Sequence, residues 1–171
     1  MSLDSLESLF IEELRDIYNG EKQILRALPK MAKAAESAEL SQAFTKHLKE
    51  TQGHVQRLEK ILRELGQAVR GKQCKGMMGL LEEGKEKLEE DGEAAVLDAA
   101  LIASAQKVEH YEIAAYGCLR SYAQILGHND AAKLLEQTLK EEEAADEKLN
   151  ELAEGGINEA AAAASSQLEE G

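Results

Sequence analysis

Four stretches of this 171-residue sequence repeat apolar residues at intervals of three and four. That period draws one stripe along one side of an α-helix, and four such stripes must be buried against one another. The first stripe is Phe10, Leu14, Ile17, Ile24, Leu28 and Met31; the second is Leu40, Phe44, Leu58, Ile61 and Leu65. The third carries Ile102, Ala105, Tyr116 and Leu119, and the fourth carries Leu135, Leu139 and Leu149. The pattern predicts helices over residues 3–36, 39–65, 92–127 and 129–154. Gly66, Gly127 and Gly155-Gly156 are the expected stops. Asp91 is the expected N-cap of the third helix, and Asn129 stands near the start of the fourth. Pro29, the one proline, is expected to kink or loosen the end of the first helix, because it has no N–H to donate.

Residues 66–92 differ in character. Six glycines punctuate them, and a short helix is expected over 74–90, with Met77, Leu80, Leu81 and Leu88 on its apolar side. Short turns make the first and second helices one antiparallel hairpin, and the third and fourth another. The connector of about 25 residues can travel the roughly 42 Å of a long helix, so the second and third helices run parallel. The fold expected is all-α: a four-helix bundle with a long crossover that contains a short extra helix. Residues 1–154 form the bundle, and 155–171 form an Ala-rich tail, frayed or loosely helical.

Composition excludes several functions. Aromatic residues are 4% with no Trp, too few for a typical sheet protein. The net charge of -13 argues against nucleic-acid binding, which needs a basic face. No apolar run reaches the roughly 20 residues that span a bilayer, so no membrane role is expected. Met1-Ser2-Leu3-Asp4 has no basic start of a secretory signal. Cys74 and Cys118 form neither a CxxC nor a disulfide framework, as suits free thiols in a reducing cytoplasm. No phosphate-binding glycine loop or nucleophile elbow is present.

The informative residues are polar ones inside the stripes. Glu21 fills the gap between Ile17 and Ile24; His47, Glu50 and His54 fill the gap between Phe44 and Leu58. Glu109 and Glu112 interrupt the third stripe, and Glu142 and Asp146 the fourth. Counted from the two hairpin turns, the six carboxylates and His54 lie about 12 to 19 residues up their helices, within one or two turns of a common level. In a chain that is 31% charged, any one of them alone would read as a solvated surface residue. Their coincidence across four helices points to a buried layer. Six carboxylates there cannot all be ionised without compensation, since desolvation costs several kcal/mol per ion and the charges repel. Two divalent cations would compensate, with His47 and His54 as rival nitrogen donors; carboxylate with imidazole suits Fe, Mn or Zn. His110 and Glu141 fall off the stripes and read as surface or subunit contacts. Tyr18 and Tyr116 are each placed to hydrogen-bond a ligand carboxylate or simply to pack in the core.

Several strings resemble a known family. Gln106-Lys107-Val108-Glu109-His110-Tyr111-Glu112-Ile113-Ala114 is the most specific. Glu21-Lys22-Gln23, His47-Leu48-Lys49-Glu50-Thr51, Thr138-Leu139, Glu141-Glu142 and Asp146 add to it. Together they resemble the YciF-type bacterial stress proteins, a ferritin-like family, over roughly residues 3–154. The resemblance implies a ferritin-like bundle, a homodimer, a dinuclear metal centre and a role in stress response. It implies Glu21, Glu50, Glu109 or Glu112, and Glu142 as carboxylate ligands. The Glu-x-x-His pair usual in di-iron bundles is absent: Gly53 stands three after Glu50, and no His follows Glu142.

Two readings follow. In the first, two Fe or Mn ions act on O₂ or peroxide in an oxidase- or peroxidase-type reaction, with Glu50 and Glu142 as bridging candidates. In the second, the polar layer only specifies packing or oligomerisation in a non-enzymatic stress or interaction protein. Iron storage is a third idea and would need a large cage.

Overall fold

The structure is a computed structural model that describes residues 3–168, with side chains through 164. Helix α1 spans Leu6–Ala34, α2 Ala38–Glu64, α3 Lys75–Glu89, α4 Ala94–Ile125 and α5 Asn129–Leu152; a π-helical turn, Ala153–Ile157, leads into α6, Asn158–Leu168. No strand occurs among the described residues.

The helix ends follow from local chemistry. Ser5 caps α1 by accepting from Ser8 N–H at 3.1 Å, and Ser8 Oγ accepts from Ser5 N–H at 3.0 Å. Ser37 Oγ accepts from Leu40 N–H at the start of α2. Gly66 (φ 66) and Gly127 (φ 78) end α2 and α4. Past each of them the next N–H turns back into the helix, Gln67 to Leu62 O and His128 to Ala123 O.

The helix ends differ from the expectations in detail. Helix α1 runs through Pro29 to Ala34, as its apolar period predicts. Helix α4 starts at Ala94 after Glu93 rather than after Asp91, and neither Glu93 nor His128 supplies a side-chain cap. Of the two forms expected for the tail, residues 153–168 take the helical one: Gly156 turns the chain at φ 144, and α6 packs on α4.

Two hydrogen-bonded contacts orient the hairpins. Asp98, near the start of α4, accepts from Glu36 N–H (2.9 Å) and Ser37 N–H (2.7 Å) in the α1–α2 turn. At the other end, His128 in the α4–α5 turn meets Glu7 at 2.9 Å and stacks on Phe10. The starts of α2 and α4 are therefore neighbours, and the two helices run parallel. The connector 66–92 crosses the bundle, and its α3 lies on α4 and α1. At Gly76 a Cβ would come within 2.6 Å of the Tyr111 ring, so this close approach requires glycine.

The apolar side chains form two cores. One gathers Phe10, Leu14, Ile17, Leu58, Ile61, Tyr116, Leu119 and Leu135. The other gathers Ile24, Leu28, Leu40, Phe44, Met77, Leu101, Ile102 and Leu149. On α1 the break between them falls at Glu21, which is 0% exposed.

Asp98→Ala should destabilise the protein by about 1–3 kcal/mol, because two backbone donors lose their acceptor where α4 meets the hairpin turn. Urea unfolding of the variant checks this; an unchanged midpoint would show that water replaces the carboxylate.

Candidate metal centre

Each polar residue between the two cores is buried because its helix also buries apolar neighbours three and four positions away. Helix α1 supplies Glu21, α2 supplies His47 and His54, α4 supplies Glu109 and Glu112, and α5 supplies Glu142. All six are at most 5% exposed. Their ligand atoms form two groups: Glu21, His54, Glu112 and Glu142, and His47, Glu109, Glu112 and Glu142. Within each group these atoms lie within 4.8 Å of one another, so each can hold a metal ion. Glu112 and Glu142 belong to both groups.

The histidines face the shared carboxylates from one helix, seven residues apart. His54 Nδ1 lies 2.9 Å from Glu142 and 3.4 Å from Glu21. His47 Nε2 lies 3.2 Å from Glu109 and 3.4 Å from Glu142. Tyr116, fully buried, donates its O–H to Glu21 in a short hydrogen bond. Burial first, and then the Glu21 and Glu142 charges, push the Tyr116 phenol well above its ordinary range, so it stays a donor.

The layer is electrostatically uneven. Burial raises Glu109 and Glu112 well above the usual carboxylate range, and Glu142 and Glu21 raise them further. Burial opposes charge on His54, but its contacts with Glu142 and Glu21 prevail and push it up to about 10. Burial likewise opposes charge on Glu142, yet its 2.9 Å contact with His54 and the charges of both imidazoles hold it down. Among the described residues, eleven buried side-chain polar atoms lack a hydrogen bond of good geometry, and nine are here. They belong to Glu21, His47, His54, Glu109, Glu112 and Glu142. Each such atom costs about 1–3 kcal/mol when it goes without a partner. Carboxylate oxygens and imidazole nitrogens in this number suit divalent transition metals, so the residues present fit a dinuclear group.

Six of the eight residues read from the sequence come together in this way. Glu50 and Asp146 fall outside both groups. Glu50 is half-buried, pairs with exposed Lys46 at 3.3 Å, and stands 3.5 Å from the outer nitrogen of His47. Asp146 turns aside to His110 (3.2 Å) and Gln106 (3.3 Å). Tyr18 also points elsewhere, donating to Glu59.

Glu141, read from the sequence as a surface or subunit contact, instead meets His54 Nε2 at 3.0 Å and the Arg57 guanidinium at 2.8 Å. No periodicity signals this, because Glu141 reaches His54 from the edge of its own helix. A cavity of about 40 Å³ borders His47 and Glu109, with Lys46, Glu50 and Lys148 at its rim.

Residues 5–162 match the family described as domain of unknown function DUF892. Protein YciF of Escherichia coli strain K12 is 47% identical over 162 residues, 94% of this chain and 98% of that protein. The crystal structure of the E. coli stress protein YciF superposes with a TM-score of 0.87, covering 91% of this chain and 99% of that one. YcfI of Rhodopseudomonas palustris, described as a candidate structural protein, is 47% identical with a TM-score of 0.84, over 88% of this chain and 97% of that one. A conserved length, a shared fold and nearly half of all residues in common show that the chain belongs to the DUF892 family, with the stress protein YciF among its relatives.

Proposed function

We propose that this chain is a stress-response protein that binds two divalent ions, Fe or Mn, in the layer between its two cores. The observation that carries the reading is the sharing of Glu112 and Glu142 by two four-residue groups whose buried polar atoms are mostly unpartnered. Glu21 and His54 would hold one ion, His47 and Glu109 the other, and Glu112 and Glu142 both. When bound, Fe or Mn supplies redox chemistry toward O₂ or peroxide, and an oxidase- or peroxidase-type reaction is the activity to test.

The chain's own contribution is positional. Tyr116 fixes Glu21 by its hydrogen bond. The two apolar cores exclude bulk water above and below the layer. The cavity lined by Lys46, Glu50 and Lys148 borders His47 and Glu109 and would be the route by which a small polar molecule reaches them. The cytoplasm is the compartment we assign, and a homodimer the assembly, both to be tested by fractionation and sizing.

The description of YcfI as a candidate structural protein favours a second reading. There the layer is a packing device, neutralised by protons on Glu109 and Glu112 and by the His54–Glu142 pair.

Metal analysis of the purified protein separates the two readings. About two Fe or Mn per chain are expected, with both lost in Glu142→Ala and full stoichiometry kept in Glu50→Ala. No uptake after anaerobic Fe(II) addition would leave the packing reading.

Metal-free protein should also respond to pH in a stated direction. The folded pKa of His54 is about 10 against an ordinary 6.5, so its contribution is complete below 6.5 and lost as pH rises toward 10. Glu109 and Glu112, also raised, act in the same sense from their ordinary 4.5 upward. Glu142, held down, contributes above its ordinary 4.5 and is lost only as pH falls below that value. The Tm of chelator-treated protein should therefore fall between pH 6 and pH 9, and Mn(II) should restore it. A flat profile would contradict the charge distribution described for the layer.

A further inference from the structure

The two α2 histidines turn opposite ring nitrogens toward the shared carboxylates. His54 presents Nδ1 to Glu142 and Glu21; His47 presents Nε2 to Glu109 and Glu142. An imidazole ligates through the nitrogen that its other hydrogen bond leaves free, so the outer partner decides which nitrogen that is.

Those outer partners are held very differently. Glu141 meets His54 Nε2 at 3.0 Å and is itself gripped by both forks of Arg57, each at 2.8 Å. Arg57 also donates to Thr138 Oγ1 at 3.0 Å, and Gln137 donates to Glu141 at 3.2 Å. A bidentate guanidinium–carboxylate pair fixes orientation as well as distance. His47 has no equivalent. Its Nδ1 is 3.5 Å from Glu50 without a hydrogen bond, and Glu50 is shared with exposed Lys46 beside the cavity. His54 is 0% exposed, whereas His47 borders that cavity.

Resting on the two-ion reading, we propose that Glu141, clamped by Arg57, is a positioning residue that makes the two ion positions unequal. It commits His54 to ligation through Nδ1, so the Glu21–His54 position fills first and holds its ion tightly. The His47–Glu109 position, with an unclamped imidazole beside a cavity, fills second and exchanges. The protein therefore has one resident ion position and one that opens to solvent, on opposite sides of Glu112 and Glu142.

Zn(II) is the probe, because it is diamagnetic and redox-inert. The full chain, labelled with ¹⁵N-histidine and stripped by chelator, is titrated with Zn(II) by calorimetry and by imidazole NMR. Two steps are expected. The first shifts His54 Nδ1 while Nε2 keeps its proton; the second shifts His47 Nε2. Glu141→Ala should weaken the first step about 10–100-fold and leave the second within about twofold. Glu141→Gln, which keeps an oxygen acceptor, should lose less than Glu141→Ala. Arg57→Gln should weaken the same step and serves if the Glu141 variants misfold. Ligation of His54 through Nε2, His47 filling first, or an unchanged first step in Glu141→Ala would overturn the inference while leaving two-ion binding intact. Wild-type protein that takes up no Zn(II) would instead overturn the two-ion reading, and this inference with it.

Discussion

Four carboxyl groups and two imidazoles share one buried layer, and the rest of the molecule is arranged around the cost of keeping them there. An isolated buried carboxylate costs several kcal/mol, and a marginally stable domain has few to spare. The layer limits that cost by being electrostatically uneven. Burial and the neighbouring carboxylates make Glu109 and Glu112 harder to ionise, while the Glu142 charge is set against His54. It remains short of hydrogen bonds, and among the described residues the unpartnered buried atoms are concentrated within it. On the two-ion reading proposed above, metal ions would meet those atoms.

The fold supports the layer from both sides. The two apolar cores anchor each helix above and below its polar residues, so the carboxyls cannot slide to the surface without exposing Ile17 and Ile24 or their counterparts. The crossover lets α2 and α4 run parallel, with Asp98 joining the start of α4 to the first turn. Tyr111 adds a second tie, since its hydroxyl meets both Cys74 (3.2 Å) and Asp16 (3.3 Å). That leaves room for no side chain at Gly76. The crossover helix is thereby fixed against α4 and α1, on the side opposite the cavity rim.

Much of this was legible in the chain. Glu21 between Ile17 and Ile24 could be placed inside because its neighbours had to be inside, and the same reasoning reached His47, His54, Glu109, Glu112 and Glu142. It overreached at Glu50 and Asp146. Helical spacing locates a residue on a face to within one position of the seam, but at the seam a side chain can turn inward or to a neighbouring partner. Lys46 draws Glu50 outward, and His110 with Gln106 draws Asp146. Glu141 shows the converse error. It lies at the edge of α5, and only the approach of α2 brings His54 and Arg57 to it.

The sequence by itself determined the helices, their pairing, the parallel crossover and the depth of the polar layer, because all of these follow from a period of 3.6 and from connector length. Tertiary structure alone decided which polar side chains share a partner, which nitrogen each histidine turns inward, and which carboxylates stand in both groups. Those outcomes depend on rotations of side chains across helix–helix contacts, and no local pattern along one helix records what the facing helix presents.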